Sequence, residues 1–359
     1  MRKLVVEEDR VLRLIQVMLD PSAPAERVAA FADYNSTDVP DFALWLAQVR
    51  SELPQLYPAR VQLVGSQEEL HVHLPDADIA IVESLEIGTA ELAIAPKLTL
   101  VQKFGTVGDN VDVAACERRG IPARTLRRRT NIAMGEHTMM LLLAMAKRLP
   151  LIDGLVTPER LAAAGRPFRP YDGRHTAKAN FGRIPNLRTL HGATLGLLGF
   201  GEIAREVALR ARAFGMNVIY HKRQRLDQAL EARFGATYCD FDALFAASDY
   251  LSIHIPFSEQ TKNLVGREAL ARMKPGAYLV NTSRAEIVEH TALVAALESG
   301  SLGAAALDVL YQEPAREDEP LLSLDNVILT PHLGGASRRN GLEDARETLL
   351  GMEAHLRNA

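Results

Sequence analysis

Arg284, Glu313 and His332 each follow an apolar run of strand length. The runs are Val280-Asn281-Thr282-Ser283-Arg284, Ala306-Leu307-Asp308-Val309 leading to Gln312-Glu313-Pro314, and Leu329-Thr330-Pro331-His332-Leu333-Gly334-Gly335. A histidine can give a proton to a carbonyl oxygen as hydride reaches the carbon, and reclaim it in reverse. A carboxylate hydrogen-bonded to that histidine favours its protonated form and fixes its orientation. An arginine can clamp a substrate carboxylate and polarise the carbonyl beside it. Singly, each has a plainer reading: His332 as a packing or capping residue, Arg284 as a surface cation, Glu313 as the start of a turn at Pro314. Together, at the ends of strands in one sheet, they fit hydride transfer on a 2-oxo or 2-hydroxy acid.

Such chemistry needs a bound nucleotide, and one stretch supplies its signature. Leu195-Gly196-Leu197-Leu198-Gly199-Phe200-Gly201-Glu202-Ile203-Ala204 joins a strand-like run to Gly-x-Gly-x-x-Ala. A helical segment, Arg205 to Phe214, and a second apolar run, Asn217 to Tyr220, complete a β-α-β pattern. Gly199 permits the tight turn, and Gly201 lets a pyrophosphate approach the backbone. The small Ala204 lets helix and strand pack closely. The helix start at Glu202 and Ile203 is expected to turn backbone N–H groups toward the phosphates. In an NAD site an acid about 20 residues after the glycines holds the ribose diol. Here that position reads His221-Lys222-Arg223-Gln224-Arg225, with no acid. Lys222, Arg223 and Arg225 would pair with a 2′-phosphate. NADP(H) is therefore the expected cofactor, with NAD(H) possible. The competing reading is a solvated basic loop with water on the ribose.

The elements that must position these residues follow from periodicity. The first third alternates strand-like runs with helical segments. Val11 to Met18, Arg60 to Val64, Ala77 to Val82 and Leu98 to Phe104 are the strand-like runs; Asp41 to Arg50, Ala90 to Ala95 and Val113 to Arg119 are the helical ones. Alternation of this kind predicts a parallel sheet covered on both faces. Asn131 to Leu149 reads as one long apolar helix, and its longest apolar stretch, Met139 to Ala146, is about half the length needed to span a bilayer. Thr157 to Arg188, rich in Pro, Gly, Arg and Asn, reads as a long connecting excursion. Beyond the glycine motif, strands are expected at Tyr250 to Ile255, Ala277 to Asn281, Ala304 to Val309 and Asn326 to Leu329. Helices are expected at Glu289 to Ser299 and Ser337 to Arg357.

The fold class expected is α/β. It comprises two doubly wound domains, a Rossmann cofactor domain over 131–333 and a smaller flavodoxin-like substrate domain from 1–130 plus 334–359, with a cleft between them. The 359 residues, 47% hydrophobic and 24% charged, suit two globular domains. A net charge of −4 gives no reason to expect nucleic-acid binding, and no membrane association is expected. Cys116 and Cys239 alone can build neither a disulfide framework nor a thiolate metal cluster, so a reducing cytoplasm is expected and no metal. The N-terminus turns acidic after a short apolar run and lacks the pattern of a signal peptide.

At this point the chain resembles the D-isomer-specific 2-hydroxyacid dehydrogenases. The resemblance rests on Lys97-Leu98-Thr99-Leu100-Val101, Asp109-Asn110-Val111-Asp112, Glu136-His137-Thr138, the glycine motif, Val280 to Arg284, Asp308-Val309 with Glu313-Pro314, and Thr330-Pro331-His332. It implies Arg284 as the substrate-binding arginine and Glu313 as partner of the acid/base His332. It implies Asp308 as the residue holding the nicotinamide carboxamide. Pro256, Thr261, Thr282 and Gly334 join the implied cofactor contacts. The loop at Gly105-Thr106-Val107-Gly108 would receive the substrate carboxylate on its backbone, so Thr106, Val107 and Gly108 are the implied substrate contacts. An inter-domain hinge and a homodimer through the cofactor domain are implied too. The expected partner is a small anionic 2-oxo or 2-hydroxy acid.

The chain departs from that pattern in places. Ala285 follows Arg284 where glycine is usual, and the second glycine of the 105–108 loop is displaced by one. The basic run Arg124 to Arg129 has two readings: a field drawing in a doubly anionic substrate, or a solvated turn with salt bridges. A different class of function, a non-catalytic dinucleotide-binding regulator like a corepressor, keeps the fold without turnover. The intact Arg284, Glu313 and His332 favour the enzyme. Formate or phosphite oxidation ranks lower, because a Glu–His pair suits an alcohol substrate.

Overall fold

The computed structural model describes residues 1–106 and 110–358. The chain divides into two compact units, Met1–Ala133 with Ala336–Ala359, and Met134–Gly335.

Among the described residues the first unit holds five parallel strands: β1 (Arg2–Glu7), β2 (Ala59–Val64), β3 (Ile79–Val82), β4 (Leu100–Lys103) and β5 (Ala123–Arg124). Their order is β2-β1-β3-β4-β5. That is the flavodoxin-type arrangement, with its reversal between β1 and β3. Successive side chains of a strand point to opposite faces. Leu4, Val6, Ile79, Ile81 and Leu100 accordingly enter one core, beside Phe42, Leu46 and Val49 of the helix Phe42–Ser51. Val5, Ala80, Val82 and Val101 enter the other, beside Leu70, Leu74, Leu92 and Cys116. The C-terminal helix Arg338–Asn358 joins the first core through Leu342, Ala345, Leu349 and Met352. Its buried Glu353 accepts the N–H groups of Gln55 (2.9 Å) and Leu56 (3.2 Å).

One strand-like run proves helical. Val11 to Met18 lies in the helix Arg13–Leu19, and the strand beginning this sheet is Arg2–Glu7. The Asp9 carboxylate accepts the N–H of Val11 (2.6 Å) and of Leu12 (3.2 Å), which turns the chain into a helix. Leu14, Ile15, Val17 and Met18 are then all buried, so the β-branched residues lose their local preference to packing.

The second unit carries seven parallel strands: β6 (Thr194–Leu198), β7 (Asn217–His221), β8 (Ala236–Tyr238), β9 (Tyr250–Ile253), β10 (Ala277–Asn281), β11 (Leu302–Leu307) and β12 (Val327–Leu329). The order is β12-β11-β10-β9-β6-β7-β8. It reverses between β6 and β9, as in a dinucleotide-binding sheet. The short β8 is an edge strand that periodicity did not reveal. Two further close approaches tie this unit together. A Cβ on Gly196 would lie 2.0 Å from Ser248 Oγ, and one on Gly135 would lie 2.9 Å from Glu206 Cβ. The second lets the helix Arg129–Ala146, from Met134 on, pack against the helix Glu202–Ala213.

The 157–188 excursion opens with a short helix, Pro158–Ala163, capped by Thr157. The rest is irregular but stapled: the Arg183 guanidinium lies 4.1 Å from the Tyr171 ring centre, and that of Arg188 lies 4.1 Å from the Tyr278 ring centre. Among the described residues, no helix is long and apolar enough to cross a membrane.

Candidate active site

The turn after β6 sets the nucleotide end of the site. Gly199 has φ +94°, and a Cβ there would meet the His254 carbonyl oxygen at 2.5 Å. Only glycine fits. Gly201, next but one, is the residue from which the twelve-residue helix Glu202–Ala213 starts. A Cβ on Gly201 would meet nothing within 4 Å. The backbone thus leaves open space above the N-terminus of a helix, where an anionic group gains from unpaired N–H groups and the helix dipole. Ala204 is fully buried, as close packing of that helix requires. This cradle fits a dinucleotide pyrophosphate.

At the end of β7 the three basic residues separate. Arg225 grips Glu231 with two bonds of 2.8 Å, from Nε and Nη2. That bidentate pairing, and a hydrogen bond from the Tyr220 hydroxyl, pull the Glu231 pKa down to about 2 against the effect of burial. Arg225 therefore buttresses the 221–231 turn. Lys222 and Arg223 form no ion pair among the described residues, and Arg223 is exposed.

The reactive end lies at the carboxyl edges of β10, β11 and β12. Asn281, the last residue of β10, is 1% exposed. Its Nδ2 donates to the Arg284 carbonyl (2.8 Å) and its Oδ1 accepts from Ser283 N (3.0 Å). This side chain shapes the turn that presents Arg284, and its role there is new relative to the sequence reading. Ala285 is buried and starts a short 3₁₀ turn, Ala285–Ile287. Arg284 itself is exposed; its Nη1 donates to the Ser283 carbonyl (2.6 Å). Thr282 is buried, with its hydroxyl 3.4 Å from that of Thr138. Thr261 donates to the Pro256 carbonyl (2.9 Å) and accepts from Ser258 N (2.7 Å), so this hydroxyl organises its own loop.

His332 and Glu313 do meet. Nδ1 of His332 lies 2.9 Å from Glu313 Oε2, and Glu313 Oε1 accepts from Leu310 N (3.0 Å). A carboxylate can only accept, so Nδ1 carries a proton and Nε2 lies outside this pair. Burial raises the Glu313 pKa, but the hydrogen bonds from His332 and Leu310, with the charges of His332 and Arg284, outweigh it and hold it below the usual carboxylate range. His332 sits at φ +55°, a left-handed conformation unusual for a residue with a side chain.

Asp308, expected from the resemblance to hold the nicotinamide carboxamide, also bonds within the protein. Its carboxylate is 1% exposed and accepts from Thr330 Oγ1 (2.6 Å), Leu333 N (2.8 Å) and Gly334 N (2.7 Å). His137 Nε2 stands 3.2 Å away. Asp308 thus anchors the turn that carries His332. Gly334 is needed in that turn, because a Cβ there would lie 2.7 Å from Met134 Sδ and 2.9 Å from Asp308 Oδ2.

Comparison with known proteins gives this geometry its context. Residues 160–334 match the model described as "D-isomer specific 2-hydroxyacid dehydrogenase, NAD binding domain". The chain is 35% identical over 284 residues to a hydroxypyruvate reductase of Thermotoga maritima, covering 77% of this chain and 85% of that one. It belongs to the D-isomer-specific 2-hydroxyacid dehydrogenases. It is also 36% identical over 253 residues to a glyoxylate reductase of Thermococcus litoralis, covering 70% of this chain and 72% of that one. A solved glyoxylate reductase from Paecilomyes thermophila superposes with a TM-score of 0.53 at 26% identity, covering 97% of this chain and 93% of that one. The chain is thus a dehydrogenase that uses a nicotinamide dinucleotide on 2-hydroxy or 2-oxo acids.

In the first unit of the dehydrogenase, a carboxylate of the chain itself occupies the strand-order reversal. At the reversal between β1 and β3, the Glu7 carboxylate accepts the N–H groups of Glu83 (2.6 Å), Ser84 (2.8 Å) and Leu85 (3.0 Å), and the Ser84 hydroxyl. Burial opposes its charge, but these donors outweigh it and lower its pKa. Two of the four arginines in the basic run pair with acids within this unit. Arg128 pairs with Glu83 (2.6 Å), and Arg129 pairs with Glu347. This favours the salt-bridge reading of Arg128 and Arg129 over a field for a doubly anionic substrate. Of the expected substrate loop, Thr106 is exposed, while Val107 and Gly108 lie outside the described residues.

Burial raises the Asp308 pKa, yet the donors from His137, Thr330, Leu333 and Gly334 prevail and bring it to about 2, against 3.8 for an ordinary aspartate. The folded value lies below the unfolded one. The carboxylate therefore contributes stability above about pH 4 and loses it as the pH falls through about 2. Asp308→Asn is expected to cost about 2 kcal/mol at pH 7. Urea denaturation as a function of pH should show the gap between the two proteins narrowing below pH 4. A gap constant from pH 7 to pH 2.5 would contradict this account.

Proposed function

We propose that this chain interconverts a 2-oxo acid and its D-2-hydroxy acid with NADP(H) as the preferred cofactor. In this reading residues 131–333 bind the dinucleotide, and residues 1–130 with 334–359 form the substrate-binding domain. The observation that carries it is the 2.9 Å bond between His332 Nδ1 and Glu313 Oε2, at the same sheet edge as Arg284. When bound, the nicotinamide supplies or accepts the hydride. His332 Nε2 donates a proton to the carbonyl oxygen during reduction and takes it back from the hydroxyl during oxidation. Glu313 steadies the imidazolium form, and Arg284 binds the substrate carboxylate. The backbone at Gly199, Gly201, Glu202 and Ile203 receives the pyrophosphate. Pro256, Thr261, Thr282 and Gly334 line the remainder through backbone and loop groups. Asp308 retains acceptor capacity on Oδ2 for a carboxamide, beside its anchoring bonds. Thr106 and its neighbours Val107 and Gly108 receive the substrate carboxylate. Lys222 and Arg223 bind the 2′-phosphate; Arg225 supports them through Glu231.

We also propose a homodimer through the second unit. Met140, Leu149 and Phe214 there are 47%, 51% and 43% exposed, and with Met139 and Leu143 they line one apolar groove. A second copy covering that face accounts for its composition. Two unpaired cysteines agree with a reducing cytoplasm.

His332→Ala is expected to lower kcat by about 10²–10⁴ while nucleotide binding persists. Glyoxylate or hydroxypyruvate reduction at full rate in this variant would remove His332 from the mechanism. For the cofactor, the ratio of kcat/KM between NADPH and NADH should favour NADPH. Lys222→Ala with Arg223→Ala should cut the NADPH value by about tenfold or more and leave the NADH value nearly unchanged. A wild-type preference for NADH would refute the assignment. Light scattering should give twice the chain mass, and a monomer at micromolar concentration would contradict the dimer.

A further inference from the structure

His137 is a titratable side chain for which the mechanism above has no task. It stands on the helix Arg129–Ala146 with its side chain 11% exposed. Its Nε2 lies 3.2 Å from Asp308 Oδ1 and 3.4 Å from Thr330 Oγ1. Counting protons defines what passes between them. Thr330 has one hydroxyl proton, and the 2.6 Å contact gives it to Asp308. What Nε2 faces is then a carboxylate oxygen and a hydroxyl lone pair, both acceptors. Nε2 therefore carries the ring proton and donates.

This bond joins three elements behind His332. Asp308 follows β11, Thr330 follows β12, and His137 comes from a helix. The Asp308 carboxylate collects Thr330 Oγ1 at one end of the turn and the N–H groups of Leu333 and Gly334 at the other. His332 lies between those points, at φ +55°. A left-handed backbone at a residue with a side chain persists only where its surroundings over-determine it. In front, support is slight: the side chains of His332 and Glu313 are 48% and 42% exposed. The rigidity that fixes the imidazole must come from the buried side. The same helix seals that side, with Met134 Sδ where a Gly334 Cβ would be.

We propose that His137, through its bond to Asp308, is a positioning residue that holds the Thr330–Gly334 turn and so aims the His332 imidazole. The proposal rests on the reading of His332 as the acid/base. It differs from a carboxamide-binding role for Asp308, because the group positioned is the protein's own proton donor.

The test compares His137→Phe, His137→Asn and His137→Gln. Phenylalanine keeps the bulk without a donor. The shorter asparagine amide does not reach Asp308, whereas glutamine can return an N–H to it. Single-turnover reduction of glyoxylate by NADPH is followed, with NADPH affinity from its fluorescence. The Phe and Asn variants are expected to lose about ten- to a hundredfold in the hydride-transfer rate, a cost typical of removing a group that orients a reacting one. Their NADPH affinity should stay within about twofold of wild type, and the Gln variant should recover most of the rate. The same substitutions are then placed in His332→Ala. A residue acting through His332 has nothing left to aim, so His137→Phe should add no further loss there. Wild-type rates in the Phe and Asn variants would overturn the proposal. So would an undiminished loss in the His332→Ala background, which would mark a general structural role. Full activity of His332→Ala alone would instead overturn the acid/base reading, and the positioning role with it.

Discussion

The arrangement of the reactive edge depends on one buried carboxylate. Asp308 is surrounded by donors on the turn after β12 and on a neighbouring helix, and it satisfies them all. Buried N–H groups left without acceptors are costly, and a buried carboxylate without donors is costlier. Each side of this cluster therefore requires the other. The turn that bears His332 cannot relax without stranding two backbone N–H groups. The exposed Glu313–His332 pair can be open to solvent and still well placed, because its geometry is set from underneath.

A similar division of labour runs through the nucleotide end. Gly199 and Gly201 are both glycines, but for opposite physical reasons. At Gly199 a side chain would collide with the His254 carbonyl; at Gly201 it would fill space that is otherwise open. The first is a demand of the fold and the second a demand of the ligand. Tyr220, Arg225 and Glu231 then brace the end of β7, which leaves Lys222 and Arg223 at the surface.

The parallel sheets were legible in the sequence because their central strands alternate between two apolar cores, and because helices of clear period separate them. The glycine turn, Arg284, Glu313 and His332 were legible because a doubly wound sheet presents ligands at strand ends. Less was readable where packing or distant pairing decides. Val11 to Met18 carries β-branched residues, but Asp9 starts a helix there and burial keeps it. The pairing of Arg225 with Glu231, on the following helix, depends on side-chain geometry that the basic run does not announce. Asp308 and His137 are far apart in sequence, so nothing local announces that they touch. Asn281 was within a quoted motif, yet its task of bracing the Arg284 turn depends on side-chain bonds that a motif does not show.

Glu7 has a consequence of another kind. Parallel sheets with a strand-order reversal tend to capture whatever anion suits their exposed backbone amides, and phosphate esters suit them well. By bringing its own anion, the smaller sheet withdraws those amides from competition. A phosphate ester arriving there would meet amides already bonded to a carboxylate. Glu7 is a glutamate that reacts with nothing and merely keeps a seat taken.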